Sequence, residues 1–157
     1  MKITLANFKY YSSFSQETNA YEAVVIVDGV PVFTASNRGI GGADDYRPLE
    51  PRETNRVKLR EVEEYAKTLP PRIDAHNLPM NLELLIDELV TEKIVAMDLA
   101  KALKTKALLV DNGKIYAYKK KGVPISKIVD WLKKNKPGLS ILNELPFADA
   151  LAIYRKS

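Results

Sequence analysis

The chain has 157 residues, of which 46% are hydrophobic and 28% charged, with a formal net charge of +4. This composition is typical of a globular domain and excludes an intrinsically disordered chain. Because cysteine is absent, disulfides, thiolate zinc sites, iron–sulfur clusters and a cysteine nucleophile are excluded together. The first residues lack the apolar segment of a signal peptide, and no window is apolar enough for a membrane helix. We therefore expect a cytoplasmic protein with no membrane partner.

The first part of the chain predicts three strands. Runs rich in β-branched and aromatic residues are separated by Asp28-Gly29, a dipeptide that favours a two-residue hairpin turn. The run that ends at Val27 shows no clean alternation, so we expect this strand in the centre of its sheet with both faces covered. The predicted strands are Lys2–Tyr10, Ala20–Val27 and Val30–Ser36.

The middle of the chain predicts two helices. Apolar residues from Val62 to Leu69 recur at helical spacing, and Pro70-Pro71 ends the pattern. Asn81 can cap a longer helix, which has acidic residues in its first turns and lysines in its last, as the helix dipole favours. The predicted helices are Glu53–Leu69 and Leu82–Lys104.

The last part begins with the strongest hairpin signal in the chain, Asn112-Gly113 between two apolar runs. It continues with a predicted helix that carries Trp131, a side chain that we expect in the core. The predicted elements are a helix over Ser126–Asn135, a strand over residues 139–143 and a helix from Pro146 to Tyr154. The order β-β-β-α-α-β-β-α-β-α predicts an α+β fold, an antiparallel sheet with helices packed on it, in a single domain over residues 1–157.

The stretch SNRGIGGADDYRP, residues 36–48, places three glycines within four positions. A dinucleotide fingerprint requires G-x-G-x-x-G leading directly into a helix, and a P-loop requires Gly-Lys-Ser/Thr, so neither motif is present. Two interpretations remain. The glycine amides form an anion-binding concavity with Arg38 and Arg47, or Asn37 and the glycines shape a wide turn to which Asp44, Asp45 or Tyr46 hydrogen-bonds.

Catalytic and metal-binding groups are sparse. Asp44 and Asp45 are adjacent, and neighbouring side chains in an extended segment point to opposite sides, so we do not expect them to share a metal ion or act as an acid/base pair. His76 is the only histidine, and no spacing pairs it with a nucleophile or a second histidine. We therefore expect no enzyme, no metal and no cofactor.

Positive charge is concentrated late in the chain, because residues 101–136 contain eleven lysines against two aspartates. On the second strand of the predicted hairpin, alternate residues place tyrosines beside lysines on one face, an arrangement that can stack bases and neutralise phosphates. The alternative is a solvated edge strand, on which lysines discourage pairing with other chains. The candidate nucleic-acid-binding residues are Lys114, Tyr116, Tyr118, Lys119, Lys120 and Lys121.

Three stretches carry a resemblance: KITLANFK at residues 2–9, SNRGIGG at 36–42 and ILNELPFADALAIY at 141–154. With them the chain resembles a family of uncharacterised small proteins of bacteriophages and integrated mobile elements. Members of that family tend to have histidine or cysteine near the glycines, where this chain has Ile40, Ala43 and Arg47. This difference argues against a metal in the loop.

The resemblance implies an accessory protein in the cytoplasm of a bacterial host cell. Such proteins often bind and block host machinery, so the preferred hypothesis is a non-enzymatic inhibitor of a host protein or ribonucleoprotein, a defence component such as a CRISPR effector. The alternatives are nucleic-acid binding by the lysine-rich hairpin and nucleotide binding in the loop over residues 37–47. The candidate partner-binding residues are Asn37, Arg38, Gly39, Gly41, Gly42, Asp44, Asp45, Tyr46 and Arg47.

Overall fold

The first 48 residues form a four-stranded antiparallel sheet. The structure, a computed structural model, describes residues 1–73 and 77–157. Its strands follow chain order, β1-β2-β3-β4. Asp28 and Gly29 both have positive φ, as the predicted tight turn between β2 and β3 requires. The strands are β1 (Ile3–Tyr10), β2 (Tyr21–Val27), β3 (Val30–Asn37) and β4 (Asp45–Pro48).

The expected central strand is confirmed as an interior strand, since β2 pairs with both β1 and β3. Its two faces are not equally covered. Tyr21, Ala23, Val25 and Val27 are buried, whereas Val24 and Ile26 on the other face are only half-buried. The strand β4 was not predicted, because its sequence is polar and ends in a proline.

Two helices follow this sheet. Helix α1 (Arg52–Lys67) packs on β3 and β4 and buries Val62 and Ala66. The buried Asn55 side chain donates to the Leu49 carbonyl at 3.0 Å and so ties the first turn of α1 to the end of β4. Helix α2 (Leu82–Thr105) is capped by Asn81, whose side-chain oxygen accepts from the Leu84 amide at 2.9 Å, as predicted.

The rest of the chain forms a second, three-stranded sheet in the order β6-β5-β7. Asn112 and Gly113 have positive φ in the turn between β5 and β6, which confirms the predicted hairpin. The elements are β5 (Ala107–Asp111), β6 (Lys114–Tyr118), α3 (Ile125–Asn135), β7 (Ser140–Ile141) and α4 (Phe147–Tyr154). The α+β fold is confirmed, with two antiparallel sheets in place of one.

Each face of the second sheet has its own apolar cluster. On one face, Val129 and Leu132 of α3 pack with Leu109 and Ile141. On the other, Leu99 and Ala150 pack with Leu108 and Leu142, so α2 and α4 cover that side.

The Asn143 side chain joins elements of this region that are distant in sequence. Its oxygen accepts from the Leu108 amide at 2.8 Å, while its nitrogen donates to the carbonyls of Leu103 and Lys106 at 3.2 and 2.8 Å. One side chain therefore pairs backbone groups at the end of α2 and at the start of β5.

The chain divides into two compact units, residues 1–93 and 94–157, and α2 contributes residues to both. We call them the N-terminal unit and the C-terminal unit. The organisation as one domain stays a prediction. Within the described residues, none of the helices combines the length and apolarity that crossing a bilayer requires.

Candidate functional site

The glycine loop, residues 38–44, connects β3 to β4 in the N-terminal unit, and Asn37 is its main internal support. The Asn37 oxygen accepts from the Gly39 amide and from the Thr18 hydroxyl, each at 2.8 Å. Its nitrogen donates to the Gly42 carbonyl and to an Asp44 carboxylate oxygen, each at 2.9 Å. These four bonds fill both acceptor and both donor positions of the amide, as the turn interpretation expects.

Gly39 is buried at the base of the loop. Its carbonyl accepts from the amides of Gln16 and Glu17 at 2.9 and 3.0 Å. Its φ of +82° lies in the left-handed region, and a Cβ at this position would meet the Phe14 carbonyl oxygen. Glycine is therefore required here by backbone geometry.

The anion-binding interpretation needs free glycine amides in the loop. The Gly39 amide already donates to Asn37, and the Gly41 amide lies 3.4 Å from the Thr18 hydroxyl oxygen. A bound anion would have to compete with these acceptors. The internal bonds thus favour a structural role for the loop backbone.

Asp44 joins two tyrosines on the inner side of the loop. One carboxylate oxygen accepts from the hydroxyls of Tyr21 and Tyr46 at 2.7 and 3.1 Å, and the other accepts from Asn37. Burial, followed by the hydrogen bond and charge of Asp44, raises the pKa of Tyr21. Burial and the charge of Asp44 also raise the pKa of Tyr46. Both tyrosines are therefore neutral donors to a carboxylate near neutral pH.

Asp45 points the other way, as the alternation along a strand requires. Its carboxylate pairs with the Arg47 guanidinium at 2.6 Å, and both side chains are mostly exposed. No group of three His, Cys, Asp or Glu that could hold a metal is found within residues 1–73 and 77–157. His76 lies outside the described residues.

A cleft of about 610 Å³, the loop cleft, opens beside the glycine loop. Five of the candidate partner-binding residues line it: Asn37, Arg38, Gly42, Asp45 and Arg47. The other four, Gly39, Gly41, Asp44 and Tyr46, do not. Its rim presents two exposed apolar side chains, Phe14 and Ile40. The role of these nine residues in partner binding stays a prediction.

A second concavity, of about 460 Å³, lies in the C-terminal unit between the end of β6 and helix α3, and we call it the basic groove. Its lining residues are Tyr118, Lys119, Lys120, Val123, Lys127, Ile128 and Trp131. Among the described residues, no ion pair or hydrogen bond engages the ammonium groups of these three lysines. All three side chains are exposed.

The expectation that Trp131 lies in the core is wrong, because its side chain is 53% exposed. The buried side of α3 is formed by Val129 and Leu132, with Ile125 and Ile128 partly buried beside them. Trp131 falls at the margin of that stripe, one position before the fully buried Leu132. The smaller side chains fill the space under the helix, and the indole is left on the wall of the groove.

The basic groove brings together some of the candidate nucleic-acid-binding residues and omits others. Tyr118, Lys119 and Lys120 line it, while Lys114, Tyr116 and Lys121 do not. The predicted face also carries more packing than expected, because Tyr118 contacts the apolar cluster under α3. Lys127 and Trp131 were missed. Their spacing of four residues on an amphipathic helix indicates that they share one face of that helix. No local sequence pattern indicates that this face lies beside the hairpin.

Formal charge differs between the two units. Residues 94–157 contain 13 Lys and Arg against 5 Asp and Glu, a net charge of +8, whereas residues 1–93 contain 11 against 15, a net charge of −4. The basic groove thus lies in the unit that attracts anions.

Comparison of the chain with known protein families, curated proteins and solved structures finds no match. The resemblance to proteins of phages and mobile elements stays a prediction. The geometry of the two sites must therefore carry the functional argument.

Proposed function

We propose that the protein is a non-enzymatic binding protein that engages nucleic acid through the basic groove. The observation that carries the proposal is the exposed indole of Trp131 on the wall of a groove whose three lysines have no protein counter-ion among the described residues. Exposed cations attract phosphates, and exposed aromatic rings offer stacking surfaces for bases. The two kinds of group lie in one concavity.

The charge of the C-terminal unit supports the same partner. A net charge of +8 on 64 residues raises the local concentration of a polyanion and speeds its association. A host ribonucleoprotein in the bacterial cytoplasm would present such a polyanion, which agrees with the accessory role that the resemblance implies. A binding protein needs no nucleophile and base, and none of the groove residues forms such a pair.

Binding of a fluorescein-labelled mixed-sequence oligonucleotide, followed by anisotropy at several salt concentrations, tests the proposal. We expect affinity to fall linearly with salt on logarithmic axes. Replacing Lys119, Lys120 and Lys127 with Gln should reduce the slope by about 2, because each neutralised phosphate on a single strand contributes about 0.7.

A matched variant controls for total charge. Replacing Lys2, Lys9 and Lys93, three exposed lysines of the N-terminal unit, with Gln removes the same formal charge away from the groove. This variant should retain most of the salt slope. The proposal is wrong if the wild type does not bind at low salt, or if both triple variants weaken binding equally.

The loop cleft favours a second candidate function, binding of a host protein. Phe14 and Ile40 are 64% and 61% exposed. Among the described residues, no hydrogen bond or ion pair engages the Arg38 guanidinium. Exposed aromatic and arginine side chains around a cleft are typical of protein interfaces.

Pull-down from host lysate tests this second function. An Arg38→Ala/Ile40→Ser variant should lose a partner that the wild type retains. An Arg52→Ala/Val57→Ser variant, which removes an arginine and a β-branched aliphatic side chain at exposed positions of α1, should keep it. Equal recovery of every protein by the three baits would count against the loop cleft.

A further inference from the structure

We infer that the basic groove binds a single strand and accepts one unstacked base between the rings of Tyr118 and Trp131. The inference rests on the proposed function and names its substrate class. Both rings line the same groove, and among the described residues neither makes a ring contact with the other or with a third aromatic side chain. The groove volume of about 460 Å³ lies within the range of small-ligand pockets, about 300–1,000 Å³.

The polar ends of both rings are available to a ligand. Among the described residues, no protein group accepts from the Trp131 indole N–H or pairs with the Tyr118 hydroxyl. Both donors lie in the planes of their rings, so they point past the faces of a stacked base and stay open to oxygens of its sugar or phosphate. Val123 and Ile128, both half-buried, add apolar surface to the same groove.

The Tyr118 ring and the backbone that carries Trp131 are held in place before a ligand arrives. Tyr118 packs on the cluster that contains Val129 and Leu132, so its ring is anchored on one side. On α3, the Trp131 carbonyl accepts from the Asn135 side chain at 2.8 Å, and the next residue, Leu132, is fully buried. A pre-positioned site loses less conformational entropy on binding.

The charges around the groove indicate where the phosphates lie. Lys119 and Lys120 follow the end of β6 on one wall, and Lys127 stands one helical turn before Trp131 on the other. A strand that placed one base in the groove would have a cation on each side of that base. Asp130 is exposed beside Trp131 and repels phosphate, so the backbone avoids that side of α3.

A duplex does not offer the same ligand. Its bases are already stacked and paired, and exposing one of them costs a few kcal/mol. The groove also lacks arginine, the side chain that reads bases and phosphates with two parallel hydrogen bonds. We therefore expect preference for single strands with little preference for sequence.

Trp131 is the only tryptophan of the chain, so its fluorescence reports on the groove directly. Three probes at low salt separate stacking from charge: oligothymidylate of about 15 nucleotides, a blunt duplex of equal length, and inorganic polyphosphate of similar charge. The single strand should quench the emission. The duplex and polyphosphate should bind, as measured by their competition with a labelled oligonucleotide, and leave the emission nearly unchanged.

Variants separate this inference from the proposed function. Trp131→Ala should weaken oligothymidylate binding about 5- to 150-fold, the range for loss of one stacked base, and leave polyphosphate binding unchanged. Phe147→Ala is the matched control, because Phe147 is 44% exposed on α4, belongs to neither candidate set and does not line the groove. Its affinities should equal those of the wild type.

Two outcomes would overturn the inference. Equal quenching by all three probes would mean that emission follows charge, and an unchanged affinity of Trp131→Ala for the single strand would mean that no base stacks there. In either case polyanion binding, and with it the proposed function, would stand. Failure of all three probes to bind would remove both.

Discussion

The glycine loop and the basic groove differ in where their polar groups find partners. In the loop, Asn37 and Asp44 bond to neighbouring side chains and backbone, so the residues that looked most like a ligand site hold the fold together. In the groove, the lysines and the rings of Tyr118 and Trp131 have no such partners among the described residues. Changes in the loop should therefore alter folding, and changes in the groove should alter binding.

The largest expected effect tests whether groove residues are dispensable for folding. Leu132→Ala should lower the free energy of unfolding by about 2–5 kcal/mol, because it removes a fully buried side chain. Trp131→Ala, at the adjacent position, should lower it by less than about 1 kcal/mol, since the ring is 53% exposed. Urea unfolding measures both. Equal losses would place Trp131 in the core.

Next in size is the effect of a methyl group at the base of the loop. Gly39→Ala should cost about 2–4 kcal/mol, through the positive φ and the contact of the new Cβ with the Phe14 carbonyl. Gly42→Ala is the matched control, because nothing lies near its Cβ position and its φ is not positive. The urea midpoints of the two variants should differ clearly. If both equal the wild type, the loop is less constrained than its contacts indicate.

A smaller loss is expected from the aspartate that joins the two tyrosines. Asp44→Ala should cost about 2–3 kcal/mol, because it leaves the hydroxyls of Tyr21 and Tyr46 without their acceptor. Asp45→Ala breaks only an exposed ion pair and should cost under about 1 kcal/mol. Thermal unfolding of both variants at neutral pH makes the comparison. A reversed order would contradict the assigned roles.

The smallest effect is a loss of stability in alkali. Burial and Asp44 raise the pKa of Tyr21 and Tyr46, whereas tyrosines of the unfolded chain ionise near pH 10. The unfolded state therefore releases protons first, so stability is complete below about pH 10 and falls as the pH rises further. At about pH 10.5 the loss should be about 1–2 kcal/mol.

The matching variants test the origin of this loss. Tyr21→Phe/Tyr46→Phe should show a smaller decrease in urea midpoint between neutral and alkaline pH than the wild type. Tyr116→Phe, which alters an exposed tyrosine, should show the wild-type decrease. An identical decrease in all three proteins would mean that the two tyrosines bound to Asp44 do not cause it.

The parts of the fold that depend on neighbouring residues could be predicted from the sequence. Asn112-Gly113 predicted the hairpin correctly because both residues tolerate positive φ. Asn81 predicted the start of α2 correctly because its side chain bonds to the Leu84 amide, three residues later. The strand β4 could not be predicted, since residues 45–48 are held by backbone pairing with β3. Local propensity says little about such a strand.

The candidate sites show the same limit. Tyr21 and Asp44 are 23 residues apart in sequence, so their hydrogen bond depends on the turn and register that bring the strands together. Trp131 and Tyr118 share a groove only because α3 packs on the face of β5 and β6 that carries the tyrosine. Neither relation is written in a local pattern.

The Asn143 side chain has a consequence for synthesis on the ribosome. The first sheet needs only residues 1–48, so its strands can pair early in translation. The carbonyls of Leu103 and Lys106 gain their side-chain donor only after residue 143 has emerged. Until then, these two carbonyls lack that donor, and a nascent chain paused before residue 143 would carry this region incomplete.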